Sequence, residues 1–161
     1  MSATSPPSRK TLTRAQLRAL LAHPDGWIAT GFGSGLVPRA PGTAGSLAAL
    51  LPWWFLLRGL PLAWYVAVLV LALLVGIAAC EAAGRRLGVD DHRALVWDEF
   101  VGQWIALCAL PQGSWRWSVA WMIAGFALFR LFDVCKPWPI RSADRNVHGG
   151  FGVMLDDVLA G

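Results

Sequence analysis

Charged side chains make up only 15% of this 161-residue chain, where a soluble domain carries about 25%. That shortage leaves too little polar surface for an ordinary soluble globule. The basic residues are dispersed and form no run, which disfavours nucleic acid as a partner; a net charge of +4 suits an anionic lipid surface better. Cysteine is also scarce. Cys80, Cys108 and Cys135 are odd in number and include no CxxC pair, so neither a disulfide framework nor a zinc site is indicated. Cys80 and Cys108 lie in apolar runs and read as small hydrophobes. The opening residues MSATSPPSRK are Ser/Pro-rich, expected to be disordered, and lack the apolar stretch of a signal peptide. Membrane insertion is therefore expected to depend on internal segments.

What the chain has instead is apolar length. Hydrophobic residues account for 56% and ten are Trp; the mean hydropathy is +0.50. Trp gathers at membrane interfaces. Residues 61–80 (PLAWYVAVLVLALLVGIAAC) contain no charge, and about 20 such residues cross a bilayer as a helix. Residues 44–57 are apolar but interrupted by Pro52, which predicts a kinked span over about 44–58 or a half-helix. Further spans are expected at about 94–110 and 117–132, with a polar connector at 81–93, a turn at 111–116 and a polar loop at 134–148. The start of another helix is expected near 153–161.

Ahead of these, Thr13 caps a short helix over about 14–23. Leu17, Leu20 and Leu21 lie on one side and Arg14 and Arg18 on the other, as in a helix resting on a membrane. Six glycines and two prolines between Asp25 and Gly45 are expected to prevent a regular helix there. The predicted class is all-α: a polytopic membrane helical bundle with a Gly/Pro-rich cytoplasmic loop and a short interfacial helix. Residues 1–24 form the tail and that helix, and 25–161 the membrane domain.

Lys and Arg placement orients the bundle. With the N-terminus cytoplasmic, that side holds Arg9, Lys10, Arg14, Arg18, Arg39, Arg85, Arg86, Arg93, Lys136, Arg141 and Arg145, eleven in all. The opposite side holds two, Arg58 and Arg116. Trp53, Trp54, Trp64, Trp115 and Trp117 flank the outer turns, as an aromatic belt would.

The same orientation gathers the acids. Asp98 and Glu99 open the third span, while Arg130 and Asp133 close the fourth and share a helical face. The Asp156-Asp157 pair returns to that side. Charges within spans cost roughly 2.5–3.5 kcal/mol each on insertion scales, so the cluster needs a cause. An internal salt bridge such as Arg130 with Asp98 would explain one pair. Five carboxylates (Asp98, Glu99, Asp133, Asp156, Asp157) exceed that, and oxygen-rich clusters suit Mg²⁺, which is held by carboxylates, water and substrate phosphate. Neighbouring bases suit phosphate oxygens; the candidates are Arg39, Arg130, Lys136, Arg141, Arg145 and His148.

Other motifs have blander readings. Gly31-Phe32-Gly33-Ser34-Gly35 is not a dinucleotide fingerprint and no Walker lysine follows it. Its glycines are expected to allow close packing, with a phosphate-cradling nest of backbone N–H groups as the sharper alternative. His23 and His92 read as surface residues, and His148 as a loop hydrogen-bonder with a proton-transfer role open. Cys135 and Arg141 have the spacing of a cysteine-phosphatase loop, but Pro137 and Pro139 remove two of the N–H donors such a loop needs, so a nucleophilic Cys135 is rejected.

The motifs together are similar to one family. Gly31–Gly35 through Pro41-Gly42-Thr43-Ala44-Gly45-Ser46, then Val96-Trp97-Asp98-Glu99-Phe100-Val101-Gly102, Phe129-Arg130-Leu131-Phe132-Asp133, Lys136-Pro137-Trp138-Pro139-Ile140-Arg141, Asp144-Arg145-Asn146-Val147-His148-Gly149-Gly150 and Asp156-Asp157 resemble phosphatidylglycerophosphatase A over about 25–161. The resemblance implies a Mg²⁺-dependent enzyme of the bacterial inner membrane. Its implied reaction removes the terminal phosphate of phosphatidylglycerophosphate to leave phosphatidylglycerol, with the site facing the cytoplasm. It implies metal or catalytic roles for Asp98, Glu99, Asp133 and Asp157, and phosphate or structural roles for Arg130, Lys136 and Arg141. It also implies a further membrane helix beyond Gly161, where this chain stops.

The expected chemistry is metal-assisted phosphomonoester hydrolysis with Glu99 or Asp98 as general base; a phospho-aspartyl route stays open beside it. The rival class is a small membrane transporter or scaffold whose charges handle ions or protons. Charges placed at one end of the spans, and not along them, argue against it.

Overall fold

The computed structural model describes residues 12–161 apart from 90, 109, 111–114, 143–146 and 148. The expected disorder of 1–10 falls outside that range. The described residues form helices and turns, with no strand among them.

Helix α1 runs Arg14–Leu21. Thr13 Oγ1 accepts the Gln16 N–H at 3.2 Å while Gln16 Oε1 accepts the Thr13 N–H at 3.0 Å, a reciprocal capping box that satisfies two otherwise orphaned donors. Leu20 is fully buried, so α1 is docked onto the bundle by its apolar side.

The Gly/Pro-rich stretch is more regular than its composition suggests. Helix α2 spans Pro24–Ala29, a 3₁₀ turn spans Ser34–Leu36, and helix α3 spans Pro41–Pro52. Both prolines that begin helices occupy the first turn, where no N–H is needed and the fixed φ suits the helix. Glycine count alone therefore misjudged the segment. Between α2 and the 3₁₀ turn, Gly31 has φ +55°. Its N–H donates to Ile28 O at 2.8 Å and that of Phe32 to Trp27 O at 2.8 Å, the pattern of a Schellman stop. A methyl at Gly31 would also meet Phe100 at 2.6 Å. The amides of residues 31–37 all donate to backbone carbonyls, so the phosphate-nest alternative fails: no N–H there is left for an anion.

Pro52 ends the regular part of α3, and one π-helical turn, Trp53–Leu57, carries the chain on. Helix α4 then runs Leu62–Leu87, 26 residues, about 39 Å at 1.5 Å per residue. It absorbs most of the expected polar connector, because Glu81, Arg85 and Arg86 continue its register to Gly88. Helix α6 covers Trp115–Cys135. Helix α4 and the α6 segment Arg116–Cys135 are long and apolar enough to cross a membrane, with mean hydropathies of 2.6 and 1.6. Both turn large side chains outward, among them Leu62, Trp64, Leu71 and Leu74 on α4 and Trp117, Ile123 and Leu128 on α6. Contiguous exposed apolar faces of that kind need a cover.

Helix α5, Trp97–Cys108, is only 12 residues, about 18 Å. That is short of the roughly 30 Å of a bilayer core, and its neighbours enclose it, so it meets little of any surrounding lipid. Phe100, Val101, Gln103, Trp104 and Leu107 are buried. Helix α7 spans Gly149–Ala160 and begins earlier than the sequence suggested. Helices α3, α4, α6 and α7 all pack on α5. Its indoles fasten it to them: Trp97 Nε1 donates to Ala72 O and Trp104 Nε1 to Ala49 O, each at 2.9 Å. Trp97 stacks on Phe100 with centroids 5.2 Å apart, and Trp104 meets both rings edge-on.

His92, read as a surface residue, is 3% exposed. Its Nδ1 accepts the Ala94 N–H at 3.2 Å, and burial pushes its pKa below the ordinary imidazole value. His23 is exposed as expected.

Candidate active site

Asp98 and Glu99 occupy the first turn of α5, where negative charge complements the helix dipole. Asp157 comes from α7, which packs directly along α5. One carboxylate oxygen from each of Asp98, Glu99 and Asp157 lies within 4.8 Å of the other two. Asp98 Oδ1 accepts the Glu99 N–H at 3.1 Å. Glu99 Oε2 and Asp157 Oδ2 are buried with no hydrogen-bond partner. Buried polar atoms without partners are uncommon and expensive, and three carboxylates this close repel one another. The donor set and the two orphaned oxygens fit a hard divalent cation.

The other two acids sit at the rim of this trio, each with a base. Arg130 Nη1 lies 2.6 Å from Asp133 Oδ2 and donates to Ser46 Oγ at 3.3 Å. Lys136 Nζ lies 2.6 Å from Asp156 Oδ2. Asp133 is close enough to act electrostatically on Glu99 and Asp157, and Asp156 on Asp98 and Asp157. Arg130 is thus paired with Asp133 rather than with Asp98, the pairing that the salt-bridge reading had suggested. The arrangement places an anionic trio, Asp157 buried and Asp98 and Glu99 partly buried, beside two cations already steered by carboxylates.

Helix α3 closes the site from the side of the Gly-rich segment. A methyl on Gly42 would come within 2.3 Å of Glu99 Oε1 and 3.4 Å of the Arg130 guanidinium. Ser46, one turn on, donates to Gly42 O at 2.9 Å and accepts from Arg130. Neither Gly42 nor Ser46 was singled out as a site residue from the sequence, although both lie in the Pro41–Ser46 motif. A glycine and a serine spaced i,i+4 carry no charge to signal a site. Glu81 was also missed: its Oε2 accepts the Gly150 N–H at 2.7 Å, tying the start of α7, and hence Asp157, to α4.

The remaining expected contacts are more scattered. Arg39 is exposed, three residues before Gly42, and Arg141 is exposed in a helical turn after α6. Arg145 and His148 lie outside the described residues. Cys135 is exposed at the end of α6.

The model of the family described as Phosphatidylglycerophosphatase A matches residues 27–161. The chain belongs to that family. A phosphatidylglycerophosphatase A of Escherichia coli K12 is 47% identical over 155 residues, covering 96% of this chain and 86% of the relative. One from Haemophilus influenzae is 46% identical over 140 residues, or 87% and 83% of the two chains. A Bacteroides thetaiotaomicron protein provisionally named a phosphatidylinositol-3-phosphatase is 50% identical over 139 residues, or 83% and 84%. No solved structure matches. The family match takes in every acid of the trio and both of its flanking ion pairs.

Proposed function

We propose that this chain hydrolyses the terminal phosphomonoester of phosphatidylglycerophosphate, releasing phosphatidylglycerol and inorganic phosphate. The observation that carries the proposal is the trio Asp98, Glu99 and Asp157, with two orphaned buried oxygens, in a chain of this family. These three residues would hold Mg²⁺, with Asp133 and Asp156 at its edge. When bound, the ion supplies positive charge that offsets the phosphate oxygens and helps orient water.

The chain's own groups do the rest. Arg130 and Lys136 face the trio from α6 and the turn after it, where they complement phosphate oxygens as the reaction adds charge to them. Asp133 and Asp156 hold those two cations in place. Glu99 or Asp98 accepts the proton of the attacking water; the partnerless Glu99 Oε2 favours Glu99. Water oxygen bonds to phosphorus as the bond from phosphorus to the glycerol oxygen breaks, and the leaving oxygen takes up the proton that the carboxylate drew from water. The phospho-aspartyl route shares these residues, and the stereochemistry at phosphorus separates the two: one displacement inverts it and two retain it.

The proposed setting is the bacterial inner membrane, with α4 and α6 crossing it and the trio at the cytoplasmic end. The outward apolar faces of those helices support it, as does the eleven-to-two distribution of Lys and Arg. Cysteine-accessibility labelling that placed Thr13 and Lys136 on opposite faces would refute this topology.

The headgroup is the open choice between the relatives' names. Purified protein is assayed for phosphate release from phosphatidylglycerophosphate and from phosphatidylinositol 3-phosphate, with EDTA and with Mg²⁺ restored. The expected result is Mg²⁺-dependent release from the former at a much higher kcat/KM. Release from the inositol lipid alone would replace the substrate while leaving the site intact; release unaffected by EDTA would overturn the metal.

A further inference from the structure

A second polar feature lies away from the carboxylates. Asp98 and Cys108 are ten residues apart on α5, so about 15 Å separates them along the axis. At the Cys108 end is a cavity of about 290 Å³, close to the roughly 300 Å³ at which small-ligand pockets begin. Trp53 and Arg58, from the π turn and its end, line it with Leu62, Tyr65, Leu107 and Cys108.

Two donors in this lining lack a well-formed hydrogen bond. Trp53 is 2% exposed, and its Nε1 has no hydrogen-bond partner. Arg58 Nη1 is likewise buried without one. The Tyr65 hydroxyl donates to Trp104 O at 2.6 Å, and its oxygen lies where it can still accept from the Trp53 indole. Among the described residues no carboxylate lines the cavity and none pairs with Arg58. The guanidinium is held in place nonetheless, stacked 3.9 Å above the Trp54 ring. A fixed guanidinium with a buried, unmet N–H is costly unless an acceptor arrives, and the indole N–H beside it can turn to the same acceptor. Arg58 is also one of only two cations that the sequence places at this end of the bundle.

We infer that this cavity binds a phosphate-bearing anion, gripped by the Arg58 guanidinium and the Trp53 indole N–H. Charge-assisted hydrogen bonds from Arg suit phosphate oxygens, and the leucine walls suit the carbons attached to a phosphodiester. A phospholipid headgroup and free inorganic phosphate share that chemistry. The site is separate from the hydrolytic one and does not depend on the proposed substrate.

Cys108 provides the readout, since it lines the cavity and is partly exposed. In a Cys135→Ser background Cys80, fully buried, leaves Cys108 as the accessible thiol. The full chain is held in a phosphate-free maltoside detergent and the rate of maleimide labelling is followed. Short-chain phosphatidylglycerol, inorganic phosphate at matched ionic strength, or an uncharged glyceride is then added. The expected result is several-fold slower labelling with phosphatidylglycerol and none with the glyceride. Slowing by inorganic phosphate as well assigns free phosphate; slowing by the lipid alone assigns the headgroup. Arg58→Gln should abolish the protection while its phosphatase activity shows that it is folded. Should Arg58→Gln fail to fold, Trp53→Phe, which keeps the ring and removes only the N–H, should weaken protection. Equal protection by the glyceride, no protection by either anion, or full protection in the folded variants overturns the inference.

Discussion

Lys136 Nζ lies 2.6 Å from Asp156 Oδ2, and this ion pair divides two adjacent acids. Asp156 has a cation of its own, whereas Asp157 faces Asp98 and Glu99 with one oxygen unsatisfied. The neighbours should therefore respond differently to amide substitution. Asp157→Asn should lower kcat on the order of 10²–10³-fold, the scale of losing a direct charge contact at a reaction centre. Asp156→Asn should cost about 10-fold, typical of a supporting contact. Steady-state kinetics on the two proteins, each checked by size-exclusion profile, measures the difference; equal losses would remove the distinction.

Asp133 holds Arg130 against the trio from α6. Asp133→Asn keeps the size and removes the charge, so, like Asp156→Asn, it should lower Mg²⁺-dependent hydrolysis about 10-fold while the protein stays folded in detergent. Cys135→Ser should keep most of the activity. A fully active Asp133→Asn with an inactive Cys135→Ser would reverse the assignment and restore the thiol route.

Gly42 offers a steric test. Alanine favours a helix interior over glycine by about 1 kcal/mol, so Gly42→Ala should not weaken α3 by propensity. Its methyl would nevertheless intrude within 2.3 Å of Glu99 Oε1. The expected outcome is an activity loss of about 10-fold or more with little fall in melting temperature. Full activity would show that Glu99 can shift freely and is not held by this contact.

Gln103 is fully buried in α5, and neither amide atom has a hydrogen-bond partner. Replacing an unmet buried amide by a hydrocarbon of similar length removes a desolvation cost of about 1–3 kcal/mol. Gln103→Leu should raise the unfolding temperature. A lower one would mean that the amide is satisfied by water or ligand in the native protein.

Asp25 on α2 pairs with Arg86 on α4. The Arg86 hydrogen bond, acting against partial burial, holds the Asp25 carboxyl below its ordinary value. A folded-state pKa below the unfolded one gives stability that is present above about pH 4 and is lost as pH falls through the folded value. The stability gap between wild type and Asp25→Asn should thus be flat from neutral pH down to about 5 and close below 4. A gap independent of pH throughout would show that the pair contributes nothing electrostatic.

Local sequence was enough for some of this molecule and not for the rest. The uncharged run at 61–80 dictated a long helix, since hydrophobicity and helix propensity add along a contiguous segment. Thr13 and Gln16 marked the start of α1 because a capping box is contained within four residues. Composition misled over 25–45, where a proline's effect depends on whether it falls in the first turn of a helix or inside one. The length of α5 was equally hidden, because Ala94–Leu110 is apolar whether it faces lipid or four packed helices. The acids themselves were legible as a set, but not their division. Only the packing of α7 against α5 brings Asp157 to Asp98 and Glu99, and only the path of the chain after α6 delivers Lys136 to Asp156. Which carboxylate is neutralised and which is left bare is a matter of a few ångströms between distant segments, and no local property of the chain encodes it.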